Sequence, residues 1–461
     1  EALATEMKNK VLEINRQLSD SLTFTVKSKQ EVEAEALAAR NKAMEAQARA
    51  MAEGRKAVTA IKAKNEAETK AGEESRKRMI SVGKSLAVRS CNFTDNSELQ
   101  SLLAYQGYIF NNRYGGAAND ADIYNAFYTI NKRTGNRYYS STETSHRNLI
   151  AMTMSADGRF IFGSDRNGNV YQWTGTRPDL REKTILSGDR IISSLAVSPD
   201  GTWLACGTEK TKIIMMPLAD GLKSYELDGQ EEGVFNSLVY SHDGKTLYGS
   251  TTDGQIAEWH FRDHMEKSYR IADLKIKSID ISPDDRMLAV LSTDGRAVVV
   301  PVDFSSRPGA IGTGDYHITA MNFVPWNDRI LLGHENGQIE IWDFKASRAS
   351  DIVEAHRGAV LLFAFSPEIK QIASASSDGI IKMWSEDTML QPPVTVTDNP
   401  GAASYIGYTT SGMSLIACSQ GGVIVQRPAQ VALMAGSVCS GITRNLTPEE
   451  WEAYVGSDIP Y

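Results

Sequence analysis

One stretch, Phe363-Ala-Phe-Ser-Pro-Glu-Ile-Lys-Gln-Ile-Ala-Ser-Ala-Ser-Ser-Asp-Gly-Ile-Ile-Lys-Met-Trp384, is the clearest copy of a pattern that recurs seven times between residues 147 and 428. Each copy has an apolar run, a four-residue turn, a second apolar run, a second turn and a third run that often ends in tryptophan. The first turns begin 43, 43, 41, 43, 41 and 45 residues apart. Such a constant period is typical of a repeat protein whose units are single pieces of supersecondary structure. These turns are Ser155-Ala-Asp-Gly158, Ser198-Pro-Asp-Gly201, Ser241-His-Asp-Gly244, Ser282-Pro-Asp-Asp285, Pro325-Trp-Asn-Asp328, Ser366-Pro-Glu-Ile369 and Ser411-Gly-Met-Ser414.

The second turn of each copy indicates that the runs are strands. Asn-Gly and Asp-Gly pairs accept positive φ, so they join antiparallel strands in tight hairpins. Only the second copy, with Glu209-Lys210-Thr211, lacks glycine at this turn. Small sheets of this kind bury both faces when they stack radially around an axis, which predicts a β-propeller. The six glycine turns are Asn167-Gly168, Asp253-Gly254, Asp294-Gly295, Asn336-Gly337, Asp378-Gly379 and Gly421-Gly422.

These residues resemble the WD40 repeats, whose signature is a Ser-Pro-Asp-Gly turn, a strand of small residues, an Asp-Gly turn and a closing Trp-Asp. The fifth copy holds the literal pair Trp342-Asp343. The resemblance implies a mainly β fold, with a seven-bladed propeller over residues 136–428. It also implies that residues 137–142 form the outer strand of the seventh blade. Three copies depart from the signature and end in Met216-Pro217, Val300-Pro301 and Arg427-Pro428.

Residues 1–90 have a different composition, rich in Ala, Glu, Lys, Arg and Gln and without proline. Strong helix formers over such a window predict a long helix. Two groups of apolar residues follow heptad spacing, but Arg55 and Lys62 fall on the same stripe. Two interpretations of the helix therefore stay open. In one it forms a coiled coil with a second copy or another protein, and in the other it is a solvated stalk stabilised by charge pairs. The spaced residues are Met7, Val11, Ile14 and Leu18, then Met44, Ala48, Met51 and Val58.

Shorter helices are predicted on both sides of the repeats. Residues 91–135 read as a helical linker in which Asn96 caps one helix, to about Phe110, and Asp120 or Asp122 starts another. Because each has an apolar face, we expect both to pack on the flank of the propeller.

Residues 429–461 are predicted to form a C-terminal helical cap. The segment from Val431 to Ile442 is apolar and small, as in a packed helix. Thr447-Pro-Glu-Glu450 places an N-cap threonine, a proline at the first helical position and a glutamate three residues after the cap. We expect these helices to close the side or base of the propeller.

The sequence offers little that points to catalysis. It has no Gly-x-x-x-x-Gly-Lys-Ser/Thr loop and no Gly-x-Ser-x-Gly elbow. His260 and His264 have the spacing of a metal-binding helix, but they follow a predicted strand and lack further ligands at zinc spacing, which favours a surface loop. We therefore predict no catalytic residue, cofactor or metal site, and the partner-binding face is unknown.

Histidines and aspartates within the repeats are expected to be structural. WD40 repeats commonly place a histidine near the start of a unit, where it hydrogen-bonds within the blade. The turn aspartates belong to their turns and not to a catalytic carboxylate pair. The residues concerned are His146, His317 and His356, and Asp157, Asp200 and Asp243.

The composition of the chain limits the partners, the disulfides and the cellular location that are expected. The net charge of −8 argues against nucleic acid as the main partner. Cys91, Cys206, Cys418 and Cys439 show no paired spacing and are interpreted as free thiols. No run of about 18 apolar residues is present, so no membrane span is expected. Few cysteines suit the cytoplasm, but a periplasmic or envelope protein without disulfides would have the same composition.

A second resemblance covers residues 85–461. Leu102 to Phe110, Tyr114-Gly-Gly116, the repeats and Arg444-Asn-Leu-Thr-Pro-Glu-Glu-Trp451 look like the C-terminal half of large WD40 proteins of the Bacteroidetes. Their N-terminal halves are often a STAND-type NTPase or a caspase-like peptidase. The resemblance implies a sensor or scaffold half, and the chain, which begins at Glu1 without methionine, is expected to be a fragment or a processed product.

The leading functional hypothesis is a non-enzymatic scaffold for protein–protein interactions. The propeller would present loops and a central opening to a protein or peptide, while the helix would serve as a spacer or oligomerisation element. One alternative is the regulatory half of a signalling enzyme whose effector domain lies upstream. Another is a component of envelope machinery for secretion or gliding.

Overall fold

The computed structural model describes residues 2–134, 139–146, 148–174, 180–210, 212–219, 221–228, 233–261, 265–271, 273–314, 316–385 and 392–461. Contacts along the chain divide it into two compact units, Glu1–Arg78 and Met79–Tyr461. None of the helices within the described ranges combines the length and the apolar composition needed to cross a bilayer.

The N-terminal unit consists of the first part of one long helix, α1 (Ala2–Ser90). All side chains from residue 3 to residue 78 are exposed, so packing within the chain contributes nothing to this part of the helix. Strong helix formers and ion pairs four residues apart, such as Lys29 with Glu33 and Lys62 with Glu66, stabilise it locally. The predicted long helix is confirmed, whereas its pairing with another helix stays a prediction.

The second unit begins with two further helices and one strand before the repeats. These are α2 (Ser97–Arg113), α3 (Ala121–Thr134) and β1 (Ser140–Glu143). Blades 1 to 3 follow as β2 (Ala151–Met154), β3 (Phe160–Ser164), β4 (Val170–Thr174) and β5 (Arg181–Leu186); β6 (Ile192–Val197), β7 (Trp203–Thr208), β8 (Lys212–Pro217) and β9 (Tyr225–Asp228); β10 (Phe235–Tyr240), β11 (Thr246–Thr251), β12 (Gln255–His260) and β13 (Met265–Arg270).

The chain continues through blades 4 to 7 and ends in two helices. Blades 4 to 6 are β14 (Ile276–Ile281), β15 (Met287–Ser292), β16 (Ala297–Pro301) and β17 (Gly309–Ile311); β18 (Ile318–Phe323), β19 (Arg329–His334), β20 (Gln338–Asp343) and β21 (Arg348–Glu354); β22 (Val360–Ser366), β23 (Gln371–Ser376), β24 (Ile381–Ser385) and β25 (Val394–Val396). Blade 7 contains β26 (Ala403–Tyr408), β27 (Ser414–Ser419) and β28 (Val423–Pro428), and the helices are α4 (Val431–Ser440) and α5 (Pro448–Tyr454).

The strands form a seven-bladed β-propeller, which confirms the predicted fold. Each blade is a four-stranded antiparallel sheet, and in blades 1 to 6 the strands lie in chain order. The innermost strands contact one another in sequence, from β2 through β6, β10, β14, β18 and β22 to β26, and β26 contacts β2 again. The ring is therefore closed.

Blade 7 takes its outer strand from the N-terminal side of the repeats. Strand β1 pairs antiparallel with β28, so that Ser140 lies opposite Gln426 and Glu143 opposite Val423. The closing strand predicted over residues 137–142 is thus confirmed, although residues 137 and 138 lie outside the described ranges. Because of this pairing, the ends of the repeat region are joined within one sheet.

Helices α3 and α4 pack on the edge of blades 6 and 7, as predicted, whereas α2 packs mainly on α3 and α4, and α5 packs against α1 and α2. Asn96 caps α2 through its side-chain oxygen, which accepts a hydrogen bond from the Leu99 N–H at 3.1 Å. Thr447 and Glu450 form the expected capping box at α5. Helices α3 and α4 share one hydrophobic cluster with strands of both blades, and its helical members include Tyr124, Phe127, Ile130, Val431, Met434 and Val438.

A buried ion cluster ties α3 to the last two blades. The Arg427 side chain is fully buried and donates to Asp398 Oδ1 through Nε at 3.2 Å and Nη2 at 3.1 Å. Lys132 and Tyr128, both on α3, donate to the other oxygen of Asp398 at 2.6 and 2.9 Å. Burial of Asp398 opposes ionisation, but Arg427 and Lys132 outweigh it and lower its pKa. The carboxylate therefore stays charged and holds three elements together.

The last three turns of α1 cross α2 where glycine faces glycine. A Cβ atom at Gly107 would lie 2.5 Å from the Gly83 carbonyl oxygen, and one at Gly83 would lie 2.8 Å from the Gly107 oxygen. Real side chains do not tolerate such distances to backbone, so only glycine lets these helices approach so closely. Beside the crossing, Met79 and Leu86 join a cluster with Leu103 and the C-terminal segment.

We predict that Gly107→Ala destabilises the second unit by about 1–3 kcal/mol, because the added methyl group must separate two packed helices. Chemical unfolding followed by tryptophan fluorescence measures this change. The matched control is Gly72→Ala, since nothing lies within 4 Å of a Cβ atom at Gly72. It should leave this transition unchanged and raise the helicity of α1. Equal transitions for wild type and Gly107→Ala would contradict the packing.

Candidate protein-interaction site

One end of the ring carries the glycine turns together with the connections that lead into the next blade. The Ile271 N–H donates to the Gly254 carbonyl at 3.0 Å, and the His356 N–H donates to the Gly337 carbonyl at 2.9 Å. At blade 7, the Thr144 N–H donates to the Gly422 carbonyl at 2.8 Å. We call this end the loop face. These backbone contacts fix its loops to the neighbouring turns.

A ring of seven residues surrounds the central opening at the loop face. Each lies at or just before the start of an innermost strand, and six of them coincide with an irregularity in strand pairing, where a β-bulge leaves one residue unpaired. All seven are at least partly exposed, whereas the residue before each of them is buried. Because the innermost strands form the inner ring of the propeller, these residues lie at the rim of its opening on the loop face. We call them the mouth residues: Ile150, Ser193, Asn236, Lys277, Thr319, Leu361 and Ser404.

Hydrogen bonds to backbone carbonyls link four mouth residues to the next blade. Ser193 Oγ donates to the Phe235 carbonyl at 2.6 Å, and Asn236 donates to the Ile276 carbonyl. Lys277 Nζ donates to the Thr319 carbonyl at 2.7 Å, and Thr319 Oγ1 donates to the Val360 carbonyl at 2.6 Å. These bonds join blades 2 to 6 around the opening and hold the mouth in a defined shape.

The chemistry of the mouth is uneven around the ring. Ile150 and Leu361 give the side near blades 6, 7 and 1 an apolar character, and Ser404 lies between them. Lys277 is the one charged mouth residue, and partial burial lowers the pKa of its ammonium group. The opening thus presents apolar surface, hydrogen-bonding groups and a cation within one frame held by hydrogen bonds between blades.

Asp280 lies three residues further along the same innermost strand as Lys277. Its Oδ2 accepts hydrogen bonds from the Phe323 N–H at 2.7 Å and from Asn322 Nδ2 at 3.2 Å, both in blade 5. Burial raises the pKa of the carboxyl group to about 6, because the hydrogen bonds only partly replace the lost solvation. Asp280 therefore joins two blades, and the free-energy cost of burying its ionised carboxylate depends on pH.

The predicted structural histidines behave differently from one another. His356 Nε2 lies 2.8 Å from Ser374 Oγ, to which Trp384 Nε1 also donates at 2.9 Å, so its role within the blade is confirmed. His146 Nε2 lies 2.8 Å from a Glu182 carboxylate oxygen in blade 1, which fits the same interpretation.

His317 differs from these two, because its side chain is exposed, and its structural role stays a prediction. In the same blade, His334 is buried and lies 3.1 Å from the fully buried Glu340. Sequence reasoning missed this pair, since neither residue stands at the start of a unit. Their six-residue separation across the Asn336-Gly337 turn is the one signal that could have indicated it.

The candidate metal pair is not supported at the position that the structure describes. His260 ends strand β12, and its ring nitrogens lie 2.7 Å from Glu258 Oε1 and 3.1 Å from Thr246 Oγ1. His264 and Asp263 lie outside the described ranges. Within those ranges, no three His, Cys, Asp or Glu side chains are grouped to hold a metal ion.

The turn aspartates and the cysteines have the local environments predicted for them. Asp157, Asp200 and Asp243 each accept a hydrogen bond from the serine of their own turn, at 2.5 to 2.8 Å. The four cysteines are free thiols; Cys206 and Cys418 are buried.

Two segments, residues 181–215 and 349–385, match the family WD domain, G-beta repeat. Each begins around the outer strand of one blade and covers strands of the next. A repeat therefore spans two blades, which explains why the seventh blade needs β1. The chain contains WD40 repeats, as the sequence predicted.

Comparison with known proteins identifies relatives among eukaryotic WD proteins. The chain is 22% identical over 251 residues to Periodic tryptophan protein 2 of Arabidopsis thaliana, covering 52% of this chain and 27% of that protein. It is 25% identical over 258 residues to Protein groucho of Drosophila melanogaster, covering 52% of this chain and 33% of that protein. It is 21% identical over 218 residues to Target of rapamycin complex subunit wat1 of Schizosaccharomyces pombe, covering 45% of this chain and 68% of that protein.

The match spans about a quarter to a third of the first two relatives. All three are eukaryotic, and the resemblance to proteins of the Bacteroidetes stays a prediction.

We predict that Asp280→Asn stabilises the protein at about pH 8 and has little effect at about pH 4. The folded-state pKa is raised from 3.8 to about 6, so the folded state binds the proton more tightly than the unfolded state between these values. Its stability therefore falls as pH rises through this window, by at most about 3 kcal/mol. Urea unfolding at both pH values measures the change.

The matched control for this prediction is Asp284→Asn, four residues along the chain. The Ser282 hydroxyl, which donates to Asp284 Oδ1 at 2.6 Å, lowers the pKa of that carboxyl group. Its substitution should destabilise the protein at about pH 8, and the effect should fade as pH falls through the carboxyl range. The same sign for both variants at about pH 8 would contradict the environment assigned to Asp280.

Proposed function

We propose that this WD40-repeat propeller is a non-enzymatic scaffold that binds a protein or peptide at the loop face, with the mouth residues at the centre of the contact. The observation that carries the proposal is the mouth held by hydrogen bonds between blades, in which the exposed Ile150 and the half-buried Leu361 lie beside hydrogen-bonding groups. Exposed apolar groups surrounded by polar atoms are typical of protein contact surfaces. A preformed surface also avoids the entropy cost of ordering loops on binding.

The comparisons support a role in assembly. One relative is named as a subunit of the target of rapamycin complex, and the match covers a large part of that protein. The long helix α1 would act as a spacer or an oligomerisation element between assembled components. The two alternatives, a regulatory half of a larger signalling enzyme and a part of envelope machinery, stay predictions.

We expect a photo-crosslinking amino acid at position 361 or 150 to capture a discrete partner in the source cells. The control position is 352, because Ile352 on the outer strand of blade 5 is also an exposed isoleucine, with 48% of its surface accessible. The crosslinked products are identified by mass spectrometry. Capture of the same proteins from all three positions would contradict a contact centred on the mouth.

Once a partner is identified, we predict that Leu361→Asp weakens its binding by about tenfold or more, as expected for a central apolar contact. Ile352→Asp should leave the affinity within about twofold, and both variants should unfold at the same temperature as the wild type. Isothermal titration calorimetry measures the affinities. Equal losses for the two variants would show that the partner does not use the mouth.

A further inference from the structure

The first 26 residues of α1 carry a continuous face of large apolar side chains. Successive members are 4, 4, 3, 4, 4 and 4 residues apart, and between 49% and 76% of each is exposed. At 3.6 residues per turn, they fall within an arc of about 140° over a length of about 35 Å. We call this face the apolar stripe: Leu3, Met7, Val11, Ile14, Leu18, Leu22 and Val26.

One charge, Lys8, lies at the edge of the stripe, at the angular position of Val26, and the end of the stripe is well defined. The other charged residues of this segment, such as Glu6, Glu13, Arg16 and Asp20, project to the sides or the opposite face of the helix. Beyond Val26, the same face carries Lys29, Glu33 and Arg40. Helices that stay solvated are polar all round, so residues 3–26 have the character of a helix with a partner.

We infer that the stripe pairs with the stripe of a second copy of this chain, with the two helices parallel and in register. This inference rests on the proposed role of α1 as an oligomerisation element. In register, each stripe residue faces its own copy, so apolar side chains cover apolar side chains along the stripe, with Lys8 at its margin. Beyond the stripe, Lys29 and Arg40 would face like charges, which limits the pairing to residues 3–26.

The spacing of the stripe favours a partner with the same repeat. From Met7 to Leu18 and on to Lys29, positions recur after 11 residues, a period that winds the stripe around the helix in the opposite sense to a heptad repeat. Two helices stay in contact along such a stripe only when their stripes wind alike. A second copy meets this condition by identity.

The surface available is also of the required size. Burying one side chain of this class removes about 60–120 Å² of apolar surface from water, so seven of them contribute about 400–800 Å² for each chain. A standard specific interface buries about 800 Å² on each partner. The resulting dimer would present two propellers, and binding to a partner with two sites would gain from their shared effective concentration.

Sedimentation equilibrium of the whole chain at several concentrations tests the inference. We expect a species of twice the chain mass for the wild type and the chain mass for Leu18→Glu. The matched control is Leu12→Glu, because Leu12 is 59% exposed but lies off the stripe. This control should remain dimeric. A monomeric wild type, or equal dissociation of the two variants, would overturn the inference.

Disulfide trapping distinguishes the direction of pairing. With the exposed Cys439 replaced by serine, oxidised Met7→Cys should form a crosslinked homodimer, since parallel helices bring both copies of position 7 together. Crosslinking only in a mixture of Met7→Cys and Leu22→Cys would show antiparallel pairing and overturn the inference of parallel helices.

Flotation with phosphatidylserine vesicles tests whether the stripe binds a lipid surface rather than a second copy of the chain. A wild type that is monomeric and floats with the vesicles would assign the stripe to a lipid surface instead. The mouth crosslinks are measured separately in Leu18→Glu, so failure of the dimer and failure of the proposed scaffold role give different results.

Discussion

The pairing of β1 with β28 is the interaction on which the propeller depends. Each repeat supplies the outer strand of one blade and the inner three strands of the next, so a linear array would leave one sheet without its outer strand. Ser140 to Glu143 supply that strand by pairing with Gln426 to Val423. An open ring would expose the edge of β28 and the flank of β2, whereas the closed ring has neither.

Closure also determines the properties of the loop face. The mouth residues bond from one blade to the next, and this arrangement keeps its geometry only while neighbouring innermost strands remain in contact. The ion cluster of Arg427, Asp398 and Lys132 fixes α3 close to the closing strand. A stable ring and a preformed binding surface are therefore consequences of the same contacts.

The sequence predicted features that depend on short stretches of chain. The glycine turns predicted where the strands lie, and Asn96 and Thr447 predicted where two helices begin. A turn or a helix cap needs particular residues at neighbouring positions, so it leaves a local pattern. The mouth was not predictable, since its bulges arise from pairing between strands and its residues share no common type. The approach of Gly83 to Gly107 and the buried His334–Glu340 pair likewise depend on tertiary packing, which leaves no local pattern.

Hydrogen exchange measured by mass spectrometry on the native chain tests closure most directly. If β1 completes the ring, the amides of β1 and β28 should be protected as strongly as those of strands β11 and β12 in blade 3 and should lose protection only with global unfolding. Exchange of residues 140–144 at the rate of an unprotected segment, while blade 3 remains protected, would contradict a propeller closed by its N-terminal strand.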